Sequence, residues 1–362
     1  MKRPLNSIVL FITTCLFLVS CQRTKVAGDE TFSTFHICRG TNIAHWLSQS
    51  DRRGEDREAF FTEKDILFID SCGFDHIRLP IDEVQLWDEA GKLDDEAFAL
   101  LNNCMEWCRN AGLRVIVDLH ILRSHHFNEE DKPLWTIPAE QDKFIGLWKD
   151  LSGFLHSWPT GMLAYEPMNE PVADDPEQWN SLLSRLVDSL RQWEPERVLV
   201  IGSNRWQSAA TFDKLRIPEN DTNIILSYHF YEPFFLTHYQ ATWTYLKDFT
   251  GDVNYPGQIV LNSNIPEQQR VYDRDTLEFM MQKPIKLADS LNLPLYCGEF
   301  GIYMNFFPAA KLAWYRDMIS IFEEYGIAYA NWNYKSESFG MVDEHMKQQT
   351  EIIRILLNAE DQ

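Results

Sequence analysis

The sequence predicts one (β/α)8 barrel. Short β-rich runs alternate with amphipathic helical stretches about eight times along the chain of 362 residues, and such alternation implies parallel strands joined by right-handed crossovers. The runs are apolar nearly throughout, as strands are when a parallel sheet is covered on both faces. Ionisable or aromatic side chains stand at the ends of most of them, which is where barrels of this class gather functional groups. An open, doubly wound sheet is the alternative. It asks for a glycine-rich phosphate turn after the first strand, and "CRGTNIAHW" lacks that pattern.

In chain order the strand runs read "FHICRG", "DHIRLPI", "LRVIVDLH", "MLAYEPMN", "RVLVIG", "NIILSYHF", "PLYCGEF" and "AYANWNY". Helical patterns lie between them. In "LDDEAFALLNNCMEWCRNAGL" apolar residues recur at Ala97, Leu100, Leu101, Cys104, Trp107, Cys108 and Ala111, with Asp94 or Asp95 placed to cap the start and Gly112 to end it. "FTEKDILFIDSCGF" and "QQTEIIRILLNA" follow the same logic. From about Glu232 to about Tyr272 runs a long non-helical stretch rich in aromatic residues, Asn and Pro. A loop of that length is usually functional, and it is expected to overhang the barrel mouth.

Residues 1–21 read as a leader. Lys2 and Arg3 precede the apolar "SIVLFITTCLFLVS", which is too short to span a bilayer comfortably. Leu18-Val19-Ser20-Cys21 resembles a bacterial lipoprotein cleavage box, with Cys21 as the lipidated residue; an uncleaved anchor or an ordinary signal peptide is the alternative. Residues 22–34 then form a tether and 35–360 the barrel. The anchor is the only membrane contact expected, at the outer membrane of a bacterial envelope, on its periplasmic or surface face.

A formal charge of −21 argues against nucleic acid or an anionic membrane surface as a partner of the protein body. Aromatic residues make up 13% and include 12 Trp, and flat apolar faces are what neutral sugar rings stack on, although most must serve the core. Beyond Cys21 the cysteines are Cys38, Cys72, Cys104, Cys108 and Cys297, without the spacing of a zinc site or a dense disulfide framework; Cys104 and Cys108 read as free buried thiols. A monomer is expected.

The stretch "LAYEPMNEP" places Glu166 and Glu170 in apolar surroundings, where unpartnered carboxylates are costly. Glu170 lies beyond the strand end, after Asn169. Glu299, in "CGEFG", ends the seventh run, across the barrel from the fourth. Two such carboxylates are what glycoside hydrolysis needs, one to protonate the leaving oxygen and one to attack the anomeric carbon or activate water. Glu166 is deeper in the barrel and is expected to act as a support, bonded to an arginine such as Arg78. "HILRSHHFN" offers His120, His125 and His126, but the spacing fits no metal motif, and neither metal nor cofactor is expected. His125 and His126 are expected to line the cleft or to sit on a solvated loop.

Taken in order, "IRLPI", "VDLH", "MNEP", "SYHFY", "CGEFG" and "NWNY" resemble glycoside hydrolase family 5, the cellulase-like group within the clan of retaining (β/α)8 glycosidases. The resemblance runs from "RGTNIAHWL" near residue 39 to "FGMVD" near residue 343. It implies that Glu170 is the acid/base and Glu299 the nucleophile. It also implies that Asn169 bonds the sugar 2-hydroxyl, that Arg78 keeps Glu299 ionised and that Tyr231 orients it. His120 and His229 are implied to contact substrate or tune Glu170, and Trp332 to form the floor under the sugar being cleaved. The substrates implied are β-linked polysaccharides or oligosaccharides, β-1,4 chains such as glucan, mannan or xyloglucan, cut endoglucanase-fashion. Ala44-His45-Trp46 departs from the family's usual Gly-Gly before the Trp, which places His45 and Trp46 as further cleft residues. The rival reading from another class is a lipid-anchored glycan-binding protein on a degenerate barrel. It requires a missing carboxylate or support, and none is missing.

Overall fold

The computed structural model describes residues 32–260 and 269–358. The leader, Cys21 and most of the tether lie outside the described residues. Among the described residues ten strands occur in chain order: β1 (Arg39–Asn42), β2 (His76–Asp82), β3 (Arg114–Ile121), β4 (Leu163–Glu166), β5 (Val198–Gly202), β6 (Ile224–His229), β7 (Gly257–Val260), β8 (Gln269–Tyr272), β9 (Leu295–Phe300) and β10 (Ala328–Asn331). All except β7 and β8 close into a parallel barrel in the order β1-β2-β3-β4-β5-β6-β9-β10. Each of the eight predicted runs is a barrel strand.

The helices follow their sequence signals. Asp94 caps the helix Asp95–Ala111 by accepting from the Ala97 N–H at 2.8 Å, and Gly112 ends it at φ 72°. Thr62 and Asp65 form a reciprocal capping box on Glu63–Cys72, which stops at Gly73, φ 104°. Cys104 and Cys108 are buried free thiols, and Cys72 and Cys297 are also free.

The loop after β6 differs from expectation. It contains one helical turn, Phe234–Thr237, and its distal part forms the antiparallel pair β7–β8. That pair docks on the barrel flank, where the Tyr255 hydroxyl donates to Asp317 at 2.6 Å, in the helix Pro308–Tyr325. The proximal part reaches the mouth. There Trp243, 51% exposed, stands edge-on to Tyr303 and near Phe339.

Strand alternation sorts the barrel interior into layers. The lowest layer is apolar, with Ile116, Ala164, Val200, Ile225, Tyr296 and Ala330 packed together and Ile37 joining them. Two residues further along the strands come Arg78, Asp118 and Glu166, all fully buried. Above these, near the mouth, are His120, His229 and Trp332. The apolar layer carries the packing, and the polar layers depend on mutual compensation of buried charge.

Candidate active site

Arg78 is the hub. It lies four residues before the end of β2, in the middle inner layer. Its guanidinium grips Glu166 with two bonds, Nε to Oε2 at 2.7 Å and Nη2 to Oε1 at 3.0 Å. It also reaches Glu299 Oε1 at 2.8 Å, Asp118 Oδ2 at 3.0 Å, Asn42 Oδ1 at 2.9 Å and Asn169 Oδ1 at 2.8 Å. One planar cation therefore orients three carboxylates and two amides, a task that suits the rigid donor fork of arginine. With Oδ1 of Asn169 engaged, the NH2 end of that amide is left as the donor.

Glu299 should face outward with Cys297 if β9 alternated strictly. Instead the β6–β9 register shifts, so that Tyr228 pairs with Cys297 and His229 with Glu299. The extra residue, Gly298, is a bulge that turns Glu299 inward. A Cβ on Gly298 would lie 3.0 Å from Ser227 Oγ and 3.2 Å from His229 Nε2, close enough that these side chains would have to shift. Tyr231 donates to Glu299 Oε2 at 2.9 Å, so both oxygens of this carboxylate are held.

Glu170 sits four residues past the end of β4. His229 Nδ1 lies 2.8 Å from its Oε1 and 3.7 Å from Glu299 Oε2. Oxygens of the two glutamates and that nitrogen all lie within 4.8 Å of one another. Oε2 of Glu170 has no hydrogen-bond partner among the described residues.

The electrostatics separate the two glutamates. Burial raises the Glu170 carboxyl far above the usual range, and the charge of Glu299 raises it further. Burial also raises Glu299, but the Arg78 cation and the Tyr231 hydroxyl pull it back. Burial lifts Glu166 and Asp118 to about 7 each, against the opposing pull of Arg78. His120 is pushed down to about 3 by burial, and His229 well below its ordinary value, so both are neutral.

Around this centre His120 Nδ1 bonds Asp118 Oδ2 at 2.7 Å, and its Nε2 meets the Gln49 amide at 3.1 Å. Its ring is stacked on Trp332, centroids 5.5 Å apart and planes 9° apart, with Phe127 edge-on at 5.7 Å. The half-buried His126 packs beside Phe127, and His45, also partly exposed, bonds the Gln49 carbonyl through Nδ1 at 3.4 Å.

Two candidate cleft residues are elsewhere. Trp46 is 0% exposed, donates to the Arg57 carbonyl at 2.8 Å and packs on Phe61. His45 takes φ 62°, and that reversal sends the next side chain into the shell between barrel and helices. His125 is buried against Trp135, and its Nε2 accepts from the Val172 N–H at 3.1 Å. It braces the segment after Glu170 and does not line the cleft.

Asp118, Asn42, Gln49 and Gln207 were not singled out by sequence. Asp118 was legible: it precedes His120 by two residues on an inward-facing strand. Asn42 ends β1, whereas Gln49 and Gln207 arrive from irregular segments and leave no periodic signal. The cluster Glu170, His229 and Glu299 is also close enough for a metal ion. Each of its members, however, already has a protein hydrogen bond.

Comparison with known proteins agrees with this arrangement. The family model "Cellulase (glycosyl hydrolase family 5)" matches residues 38–338. Endoglucanase C of Acetivibrio thermocellus is 31% identical over 335 residues, spanning 88% of this chain and 97% of its own. Cellodextrinase A of Ruminococcus flavefaciens is 29% identical over 300 residues, 81% of this chain and 84% of its own. Among solved structures, Thermotoga maritima Cel5A in complex with mannotriose superposes with a TM-score of 0.74 at 22% identity, covering 88% of this chain and 97% of that one. The matched span contains every barrel strand and both glutamates. The chain belongs to glycosyl hydrolase family 5, the cellulase family, and is a glycoside hydrolase.

Proposed function

We propose that the protein is an endo-acting β-1,4-glucanase working with retention of anomeric configuration, with Glu170 as acid/base and Glu299 as nucleophile. One observation carries this reading: the two carboxylates approach within 4.8 Å. A separation of about 5–5.5 Å suits a covalent glycosyl-enzyme, whereas about 6.5–9.5 Å leaves room for an attacking water. The names of the relatives, an endoglucanase and a cellodextrinase, support a β-glucan substrate.

In the first step protonated Glu170 gives its proton to the glycosidic oxygen while Glu299 attacks the anomeric carbon. Arg78 and Tyr231 hold the attacking carboxylate, and the Asn169 amide is placed to donate to the sugar 2-hydroxyl. The covalent ester cancels the charge on Glu299. That removes one cause of the raised Glu170 pKa, so Glu170, which has just given up its proton, stays ionised and takes a proton from water as the water attacks in the second step. Trp332, braced by His120, serves as the sugar floor.

The kcat/KM profile is expected to be bell-shaped. Activity falls at low pH as Glu299 becomes protonated, and at high pH as Glu170 loses its proton. Because Glu170 is raised well above the ordinary carboxylate range, the alkaline limb lies well above pH 4.5, and an alkaline limb at ordinary carboxylate pH contradicts the assignment. Glu166→Gln is expected to keep measurable activity, because the neutral amide still meets Arg78, while Glu170→Gln loses about 10²–10⁴-fold on glucan. Equal losses in two folded variants contradict the division of roles.

Proton NMR of the first product from cellulose, mixed-linkage β-glucan, mannan and xyloglucan tests substrate and stereochemistry together, in the presence of EDTA. Release of β-anomer from a glucan, unaffected by chelation, is expected; α-anomer, dependence on metal, or no cleavage counts against the reading. We also propose lipid anchoring of Cys21 to the bacterial envelope. Mass spectrometry of membrane-extracted protein tests it, and an unmodified Met1 start rules it out.

A further inference from the structure

Arg205, Trp206 and Gln207 have φ of 60°, 61° and 50°. Three successive residues with side chains thus occupy the left-handed region, which such residues rarely adopt. Backbone of this kind persists where its surroundings hold it, and it tends to occur at functional sites. Here it folds the exit of β5 back on itself, so that the side chain of Gln207 re-enters the barrel and is fully buried.

Inside, Gln207 Nε2 donates to Glu166 Oε1 at 2.7 Å, to the Met168 carbonyl at 3.2 Å and to the Asn169 carbonyl. Carbonyls only accept, so the NH2 end of the amide must face them. The Oε1 end has no hydrogen-bond partner among the described residues and occupies the space over Gly202, where a Cβ would lie 2.2 Å from it. The same loop makes two further ties. The Trp206 N–H donates to the Pro171 carbonyl at 3.2 Å, and Asn204 exchanges two bonds with the Ala173 backbone at 2.8 and 2.9 Å. Glu170 is therefore carried on a segment tied on both sides to the loop after β5.

We propose that Gln207 is a positioning residue for the acid/base. It links Glu166 to the backbone that precedes Glu170, and so fixes where Glu170 presents its proton. The proposal rests on the role of Glu170 given under Proposed function.

A positioning role has a signature that a general structural role lacks. A cello-oligosaccharide leaves as an alcohol that needs a proton, whereas a dinitrophenyl cellobioside leaves unaided. The test is kcat/KM of Gln207→Met on both substrates, with folding checked by circular dichroism. A misplaced acid is expected to cost about 10²-fold on the oligosaccharide and less than about threefold on the aryl glycoside, where general acid catalysis contributes little. Gly202→Ala, which displaces the amide from the other side, is expected to give the same asymmetry. If Gln207→Met does not fold, Gln207→Asn, which withdraws the amide by one methylene, is read in the same way. Equal losses on both substrates, or no loss on either, overturn the proposal while leaving the assignment of Glu170 intact. A wild-type protein that cleaves neither substrate overturns both.

Discussion

Glu299→Gln is expected to lower kcat on β-glucan by about 10⁴-fold or more, a loss of the size seen when a nucleophile is removed. The substitution preserves shape and leaves a neutral amide between Arg78 and Tyr231, so circular dichroism and melting should show a folded protein. The physical reason for the large effect lies in the two fixed oxygens. Arg78 holds one at 2.8 Å and Tyr231 the other at 2.9 Å, so no rearrangement precedes attack. An amide in that place cannot form the ester. Retention of a tenth or more of wild-type turnover by a folded variant contradicts this role.

Arg78→Met is expected to have the second-largest effect, and to act on stability as well as rate. Arg78 is fully buried and faces Asp118, Glu166 and Glu299. Removing it leaves these carboxylates without a cation, and breaking a buried ion pair costs about 3–5 kcal/mol. Part of that cost is avoided if the carboxyls take up protons, which Asp118 and Glu166 do readily, being already near 7. Arg78 lowers the pKa of Glu299, so in the conservative variant Arg78→Lys, whose point charge cannot fork among three partners, the acid limb of kcat/KM is expected to move to higher pH. Denaturant titration of Arg78→Met and a pH profile of Arg78→Lys check the two parts. Unchanged stability in the first variant, or an unmoved acid limb in the second, contradicts the hub role.

The barrel was legible because its strands are apolar on both faces and separated by capped helices. Glu170 and Glu299 were legible as carboxylates at strand ends. The inward aim of Glu299 was not, because it depends on the Gly298 bulge, and alternation alone sends that side chain outward. Trp46 and His125 were misplaced for a related reason. Each neighbours a residue nearer the cleft, and a local turn, set at φ 62° for His45, divides the pair between cleft and core. Gln207 left no signal at all, since three left-handed residues bring it back into the barrel. The β7–β8 pair was hidden in a stretch whose Asn and Pro content reads as loop. Periodicity therefore recovered what regular backbone positions, and missed what irregular backbone re-aims.

The central claim is that Glu299 forms a covalent bond to the sugar with Glu170 assisting. Incubation with a dinitrophenyl 2-deoxy-2-fluoro-cellobioside, followed by peptide mass mapping, tests it directly. The fluorine slows hydrolysis of the intermediate, so the sugar stays on the residue that attacked. The account predicts one glycosyl adduct on the peptide containing Glu299, with loss of activity in step with labelling. An adduct on the peptide of Glu166 and Glu170, or turnover of natural substrate with inversion and no adduct, contradicts it.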